Sequence, residues 1–154
     1  MVGEAVRIVL LIALLAGTGF GQTPGTWKMN RAKSRKHDSF PLARSVVIRC
    51  EAHPEGEKVT MWRVTEDGRS VTDSFILRYD GKDHPHRNPE ERFDSINARK
   101  LGDGAFEVLF KKDGKVVGRQ VRRLSQDGRQ LTIEAQMTFP TGKRSDRLYV
   151  FEKQ

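Results

Sequence analysis

Residues Ala105 to Phe139 read AFEVLFKKDGKVVGRQVRRLSQDGRQLTIEAQMTF. Apolar and polar residues alternate through most of this stretch, and two Asp-Gly pairs interrupt it. Phe106, Val108 and Phe110 fall on one face of an extended chain, with Glu107 and Lys111 on the other. Leu131, Ile133, Ala135, Met137 and Phe139 form the longest unbroken apolar face, opposed by Thr132, Glu134 and Gln136. A period of two means strands with one dry and one wet face, the pattern of an antiparallel sheet over a single core. Asp-Gly is favoured in two-residue hairpins because their central positions need positive φ, which Gly accepts freely and Asp tolerates.

The same rhythm extends in both directions. Asp67-Gly68, Asp80-Gly81 and Asp103-Gly104 add three Asp-Gly pairs upstream, and Glu55-Gly56 and Thr141-Gly142 fall in step with them. Cutting at these turns predicts strands at Thr26–Asn30, Ser45–His53, Glu57–Glu66, Arg69–Tyr79, a short Lys82–His86, Arg92–Leu101, Ala105–Lys112, Lys115–Ser125, Arg129–Phe139 and Arg144–Glu152. No window after Gly21 carries a helical period. Arg31–Ala43 is polar and basic, contains Pro41, and reads as a long loop with room for one helical turn. So many strands in sequence order would leave two long edges in an open sheet, and closing the sheet on itself removes them. The expected fold is therefore all-β, a single antiparallel up-and-down meander closed into a barrel of about 8–10 strands. A two-sheet sandwich is the alternative.

The first residues read as an address. Ile8 to Ala16 is a continuous apolar run behind Arg7, followed by Gly17-Thr18-Gly19-Phe20-Gly21. A run this short falls below the roughly 20 residues a stable membrane span needs. It fits the core of a secretory signal, with Gly19 and Gly21 as the small residues before the cut. Residues 1–21 are read as a signal peptide and 22–154 as one domain. Cleavage after Thr18 and a retained anchor helix are the alternatives. The single cysteine, Cys50, excludes an intramolecular disulfide, and no cysteine near the cut could carry a lipid anchor. The expected compartment is outside the cytoplasm, periplasmic or extracellular.

The chain holds 28 Lys and Arg against 20 Asp and Glu, a net charge of +8. Arg31, Lys33, Arg35 and Lys36 cluster in the first loop. Such a charge gives weak, salt-sensitive attraction to anionic envelope surfaces. Nucleic-acid binding is not expected, since it needs a continuous basic face with interleaved aromatics. The chain has no Ser nucleophile elbow, no phosphate loop and no H-E-x-x-H, so neither an enzyme nor a cofactor is expected. His84-Pro85-His86 puts two imidazoles at i and i+2 beside Asp83, too few donors for a metal site without a further ligand.

Both ends of the domain carry a resemblance. Gly25-Thr26-Trp27, opening the first strand, resembles the G-x-W signature of the lipocalin and fatty-acid-binding-protein group, the calycins. Arg147-Leu148-Tyr149-Val150-Phe151-Glu152-Lys153 looks like the R-x-Y-E-K ending of fatty-acid-binding proteins. GTWKMNRAKS (25–34), Tyr79 to Asp83, Lys111 to Val117 and Phe151 to Gln154 resemble small exported bacterial proteins described as lipocalin-like. The resemblance implies a lipocalin-like barrel in which Gly25 and Trp27 close one end. Aligned on R-x-Y, it gives Arg147 and Tyr149 the role of holding a ligand carboxylate; aligned on E-K, Tyr149 stands where the Arg should be. The chain departs from the fatty-acid-binding proteins in that Arg31–Ala43 is too short and too polar for their helix pair.

The residues themselves add candidates. Arg147 and Tyr149 share a strand face, and inside an apolar cavity they could grip a carboxylate. Arg119 and Arg123 share a face with Val117 and Val121, and point inward if the valines do. Asp73 shares a face with Phe75 and Leu77, and is inward unless the register breaks. The alternatives are that Leu148 and Val150 face inward instead, or that a C-terminal Arg stacks on Trp27. Two functions follow: an exported, non-enzymatic barrel for a small hydrophobic or acidic amphiphilic ligand, or an envelope interaction protein whose barrel is filled by its own side chains.

Overall fold

The computed structural model describes residues 23–90 and 92–154. The expected signal segment, residues 1–21, lies outside them. Eleven strands run in chain order among the described residues: β1 (Gly25–Met29), β2 (Arg35–Lys36), β3 (Ser45–His53), β4 (Gly56–Val64), β5 (Ser70–Leu77), β6 (Asp83–Pro85), β7 (Ser95–Gly102), β8 (Ala105–Lys112), β9 (Lys115–Leu124), β10 (Gln130–Thr138) and β11 (Arg144–Lys153). All pair antiparallel in one sheet, in the order β5-β4-β3-β1-β11-β10-β9-β8-β7-β6, with β2 added to β11. This is the all-β up-and-down meander the turn rhythm predicts. The first strand closes onto the last: Trp27 lies opposite Lys153 on one side and Ile48 on the other.

Closure by hydrogen bonds is incomplete. β5 and β6 do not pair, so one seam of the wall is left open. Side chains bridge it instead. Phe75 on β5 meets Phe110 and His86 edge-on, at 6.5 and 5.9 Å between ring centroids, and Tyr79 tilts against Phe106 at 5.3 Å. Arg63 of β4 reaches Glu90 in the β6–β7 connection at 2.7 Å.

The turns differ from expectation in detail. Among the Asp-Gly pairs, both residues have positive φ only at Asp113-Gly114; elsewhere the glycine alone turns left-handed. Longer loops such as Thr65–Arg69 are instead held by their own threonine and aspartate side chains. Gly56 has the strictest demand. Its φ is +147°, and a Cβ there would stand 2.1 Å from the Leu77 carbonyl oxygen. Gly56→Ala is therefore expected to cost about 1–3 kcal/mol, read as a lower midpoint in thermal unfolding.

Arg31–Ala43 is a loop with one strand the sequence did not reveal. Arg35 and Lys36 pair with Leu148 and Arg147. The segment carries no apolar alternation because both side chains are exposed, and its anchor is Ser34, whose hydroxyl donates to the Asn30 carbonyl and accepts from the Val150 N–H.

The core is densest at the end where Trp27, Leu77, Val108, Leu131 and Phe151 are buried. Along β10 burial falls away, from Leu131 and Ile133 to the half-buried Ala135, Met137 and Phe139. A packed floor thus grades into a more open upper interior.

Candidate functional site: the barrel interior

The interior is not filled by its side chains. A cavity of about 320 Å³ remains, walled by Ile48, Val59, Phe75, Phe110, Met137 and Phe139 among others. That volume falls within the range of small-molecule sites.

The floor is built around two buried charges. Glu57 is fully buried on β4. Its carboxylate accepts hydrogen bonds from the Thr23 N–H at 2.7 Å, the Thr23 hydroxyl at 3.1 Å and the Tyr79 hydroxyl at 2.8 Å. Trp27 seals the same end, its indole N–H donating to the Thr23 carbonyl at 2.9 Å. Gly25 leaves room for Lys153, whose ammonium lies 5.7 Å from the Trp27 ring; a Cβ at Gly25 would come within 2.9 Å of the lysine stem. The cation over the tryptophan is thus a lysine, not the arginine considered from the sequence. Tyr79 holds the left-handed region at φ +49°, a sparse one for so large a side chain. Burial, reinforced by the Glu57 charge, holds its hydroxyl protonated well above the ordinary tyrosine range. Burial and Glu57 also push the Cys50 thiol up to about 11, so it is an inert buried hydrophobe at neutral pH.

The second charge is Arg122, on the cavity wall and only 2% exposed. Its Nε and Nη2 donate to the Gln120 side-chain oxygen at 3.2 and 2.9 Å, and its Nη1 has no partner among the described residues. A buried guanidinium with an idle donor is costly unless something else occupies the space before it.

Arg122 reaches the interior through a β-bulge. Phe110 faces Gly118 and Lys111 faces Val116, which leaves Val117 unopposed. The extra residue reverses the alternation, so Gly118, Gln120 and Arg122 point inward beyond it. A Cβ on Gly118 would meet Met137 at 2.9 Å and Phe110 at 3.2 Å. The expectation that Arg119 and Arg123 turn inward is thereby corrected. Arg119 lies on the outer face, its Nη2 2.6 Å from Glu107, and Arg123 is exposed.

The other candidates lie along the wall. Arg147 and Tyr149 both border the cavity, but Arg147 is fully engaged. Its Nε and Nη2 donate to the Asp38 carboxylate at 3.2 and 3.0 Å, and its Nη1 to the Pro41 carbonyl at 2.9 Å. Both side chains of this ion pair are buried. It straps the Arg31–Ala43 loop over the upper interior, where Phe40 packs against Phe139 at 4.9 Å. Asp73 borders the cavity too, with His86 3.5 Å away. His84 is held separately by Asp80 at 2.8 Å, so the two histidines of His84-Pro85-His86 serve different partners. No cluster of metal-ligating side chains occurs among the described residues. Nor is any helix there long and apolar enough to cross a membrane.

The described residues form an antiparallel meander wrapped round a central cavity, with the first strand joined to the last. Two solved structures share this fold. The zebrafish ileal bile acid-binding protein complexed with cholic acid superposes with a TM-score of 0.54 at 13% identity, covering 86% of this chain and 99% of that one. As-p18, an extracellular fatty acid binding protein, superposes with a TM-score of 0.50 at 15% identity, covering 86% and 96%. No family model and no curated protein matches the sequence.

Proposed function

We propose that the protein is an exported, non-enzymatic barrel that holds one small acidic amphiphile, with the acid on Arg122 and the apolar tail along Phe75, Phe110, Met137 and Phe139. The observation that carries this reading is the buried Arg122 guanidinium, which lines a largely apolar cavity with its Nη1 unpartnered. A carboxylate is the natural complement of a guanidinium fork. Gln120 fixes the fork from one side, and Glu57 is already satisfied by Thr23 and Tyr79. Tyr149, Asp73, Arg63 and Arg92 are among the other polar residues of the lining, while Arg147 serves as the fastening of the strap. The two structural neighbours are, by name, a fatty acid and a bile acid binder, which fits the same class of cargo. Export follows from the reading of residues 1–21, and the exposed cations Arg31, Lys33, Arg35 and Lys36 would favour anionic envelope surfaces.

Octadecanoic acid titrated into the purified protein is expected to bind saturably, one molecule per chain, by calorimetry. Octadecanol, which lacks the acid, is expected to bind more weakly. Failure of the acid to bind a folded sample, or equal affinity for acid and alcohol, overturns the assignment.

A further inference from the structure

The cavity carries a second polar feature that an acid at Arg122 would not use. Asp73 projects from β5 into the cavity, between Phe75 and the Arg63–Glu90–Arg92 cluster. Its Oδ1 accepts from the Ser74 N–H at 2.9 Å and lies 3.5 Å from His86 Nε2, which makes no hydrogen bond to any described residue. Its Oδ2 accepts no hydrogen bond from any described residue. A carboxylate has room for about four donors, so Oδ2 keeps a hydrogen-bonding capacity that no described residue fills, even with Arg63 and Arg92 on the same wall.

We infer that Asp73 is a specificity residue, and that the cargo is a long-chain acid bearing a hydroxyl group part-way along its chain. This rests on the reading that the acid end sits at Arg122. Arg122 lies opposite Phe106, whose ring packs on Tyr79, the hydroxyl partner of Glu57, and so sits at the floor. Asp73 lies opposite Met61, four residues along β4 from Glu57, or about 13 Å at the rise of a strand. A ligand with its acid on Arg122 therefore passes Asp73 with its middle, not its head. A neutral donor suits the position better than an ammonium group, because Arg63 and Arg92 already bring two positive charges to that stretch of the wall against the single negative charge of Glu90. The hydroxyl would donate to Asp73 Oδ2, and a plain alkyl chain would leave that carboxylate bare.

The test compares octadecanoic acid with its mid-chain hydroxy derivative by calorimetry, on the wild-type protein and on Asp73→Leu. The wild type is expected to bind the hydroxy acid about tenfold more tightly, the worth of one hydrogen bond to a charged group. Asp73→Leu is expected to lose that preference and bind the two acids alike. Equal binding of the two acids by the wild type overturns the inference while leaving the Arg122 reading intact. So does a preference that survives in Asp73→Leu. If neither acid binds, the Arg122 reading falls and this inference falls with it.

Discussion

Arg122→Met is expected to weaken the binding of octadecanoic acid by about ten- to a hundredfold, while the protein melts no lower than the wild type. The loss follows from the charge-assisted hydrogen bonds the guanidinium would make to a carboxylate, each worth about 1.5–3 kcal/mol. The unchanged or higher melting point follows from the empty protein. There Arg122 is buried and, among the described residues, bonded only to Gln120, with one nitrogen idle. Replacing such a cation by an apolar side chain of similar length removes a desolvation cost and keeps the packing. A residue that harms the unliganded fold and helps the complex is the mark of a binding group. Arg122→Lys keeps the charge without the planar fork, and should fall between the two. Calorimetric titration and differential scanning calorimetry read both effects; undiminished affinity in Arg122→Met would refute the assignment.

The largest loss of stability is expected from Asp38→Leu. It leaves Arg147 buried without its counter-charge, at a cost of about 3 kcal/mol, or a midpoint lower by about 10 °C. The double variant Asp38→Leu/Arg147→Leu should recover most of it, since two apolar side chains leave no orphaned charge. A midpoint for Asp38→Leu within about 2 °C of the wild type would show the pair to be energetically idle. Acid should act in the same direction. Burial alone would raise the Asp38 carboxyl, but the Arg147 guanidinium and the backbone N–H groups of Asp146 and Phe40 outweigh it and hold the group below its ordinary value. A depressed folded-state value means the contribution is complete above the unfolded carboxylate range and is lost as pH falls through the folded value. The strap should thus stay fastened at neutral pH and loosen only in strong acid.

What the sequence disclosed follows from which interactions are local. Ser45–His53 and Ala105–Lys112 were delimited to the residue, because each ends in a turn whose chemistry sits beside it. The phase of β9 was misread, because a bulge has no signature in the alternation of one strand. It was recoverable from its neighbours: Arg122 lies opposite Phe106 and Ile133, both on clear apolar faces. For Asp73 the face shared with Phe75 and Leu77 left inward and exposed orientations both open, and it borders the cavity. Arg147 was legible as a cavity-facing cation but not as one already engaged, since Asp38 lies 109 residues away in a loop with no period. Glu57 escaped notice because a buried carboxylate is recognised by its partners, and Thr23 and Tyr79 come from opposite ends of two other segments.

The unpaired edges of β5 and β6 give the wall a compliance that a fully laced cylinder lacks. Widening a continuous ladder means breaking a row of backbone bonds together. Here the girth is set by side-chain contacts, the edge-on rings of Phe75, Phe110 and His86 and the Arg63–Glu90 ion pair, which can shift without leaving a backbone group newly exposed. The lumen can therefore widen sideways while the ladders on either side stay whole.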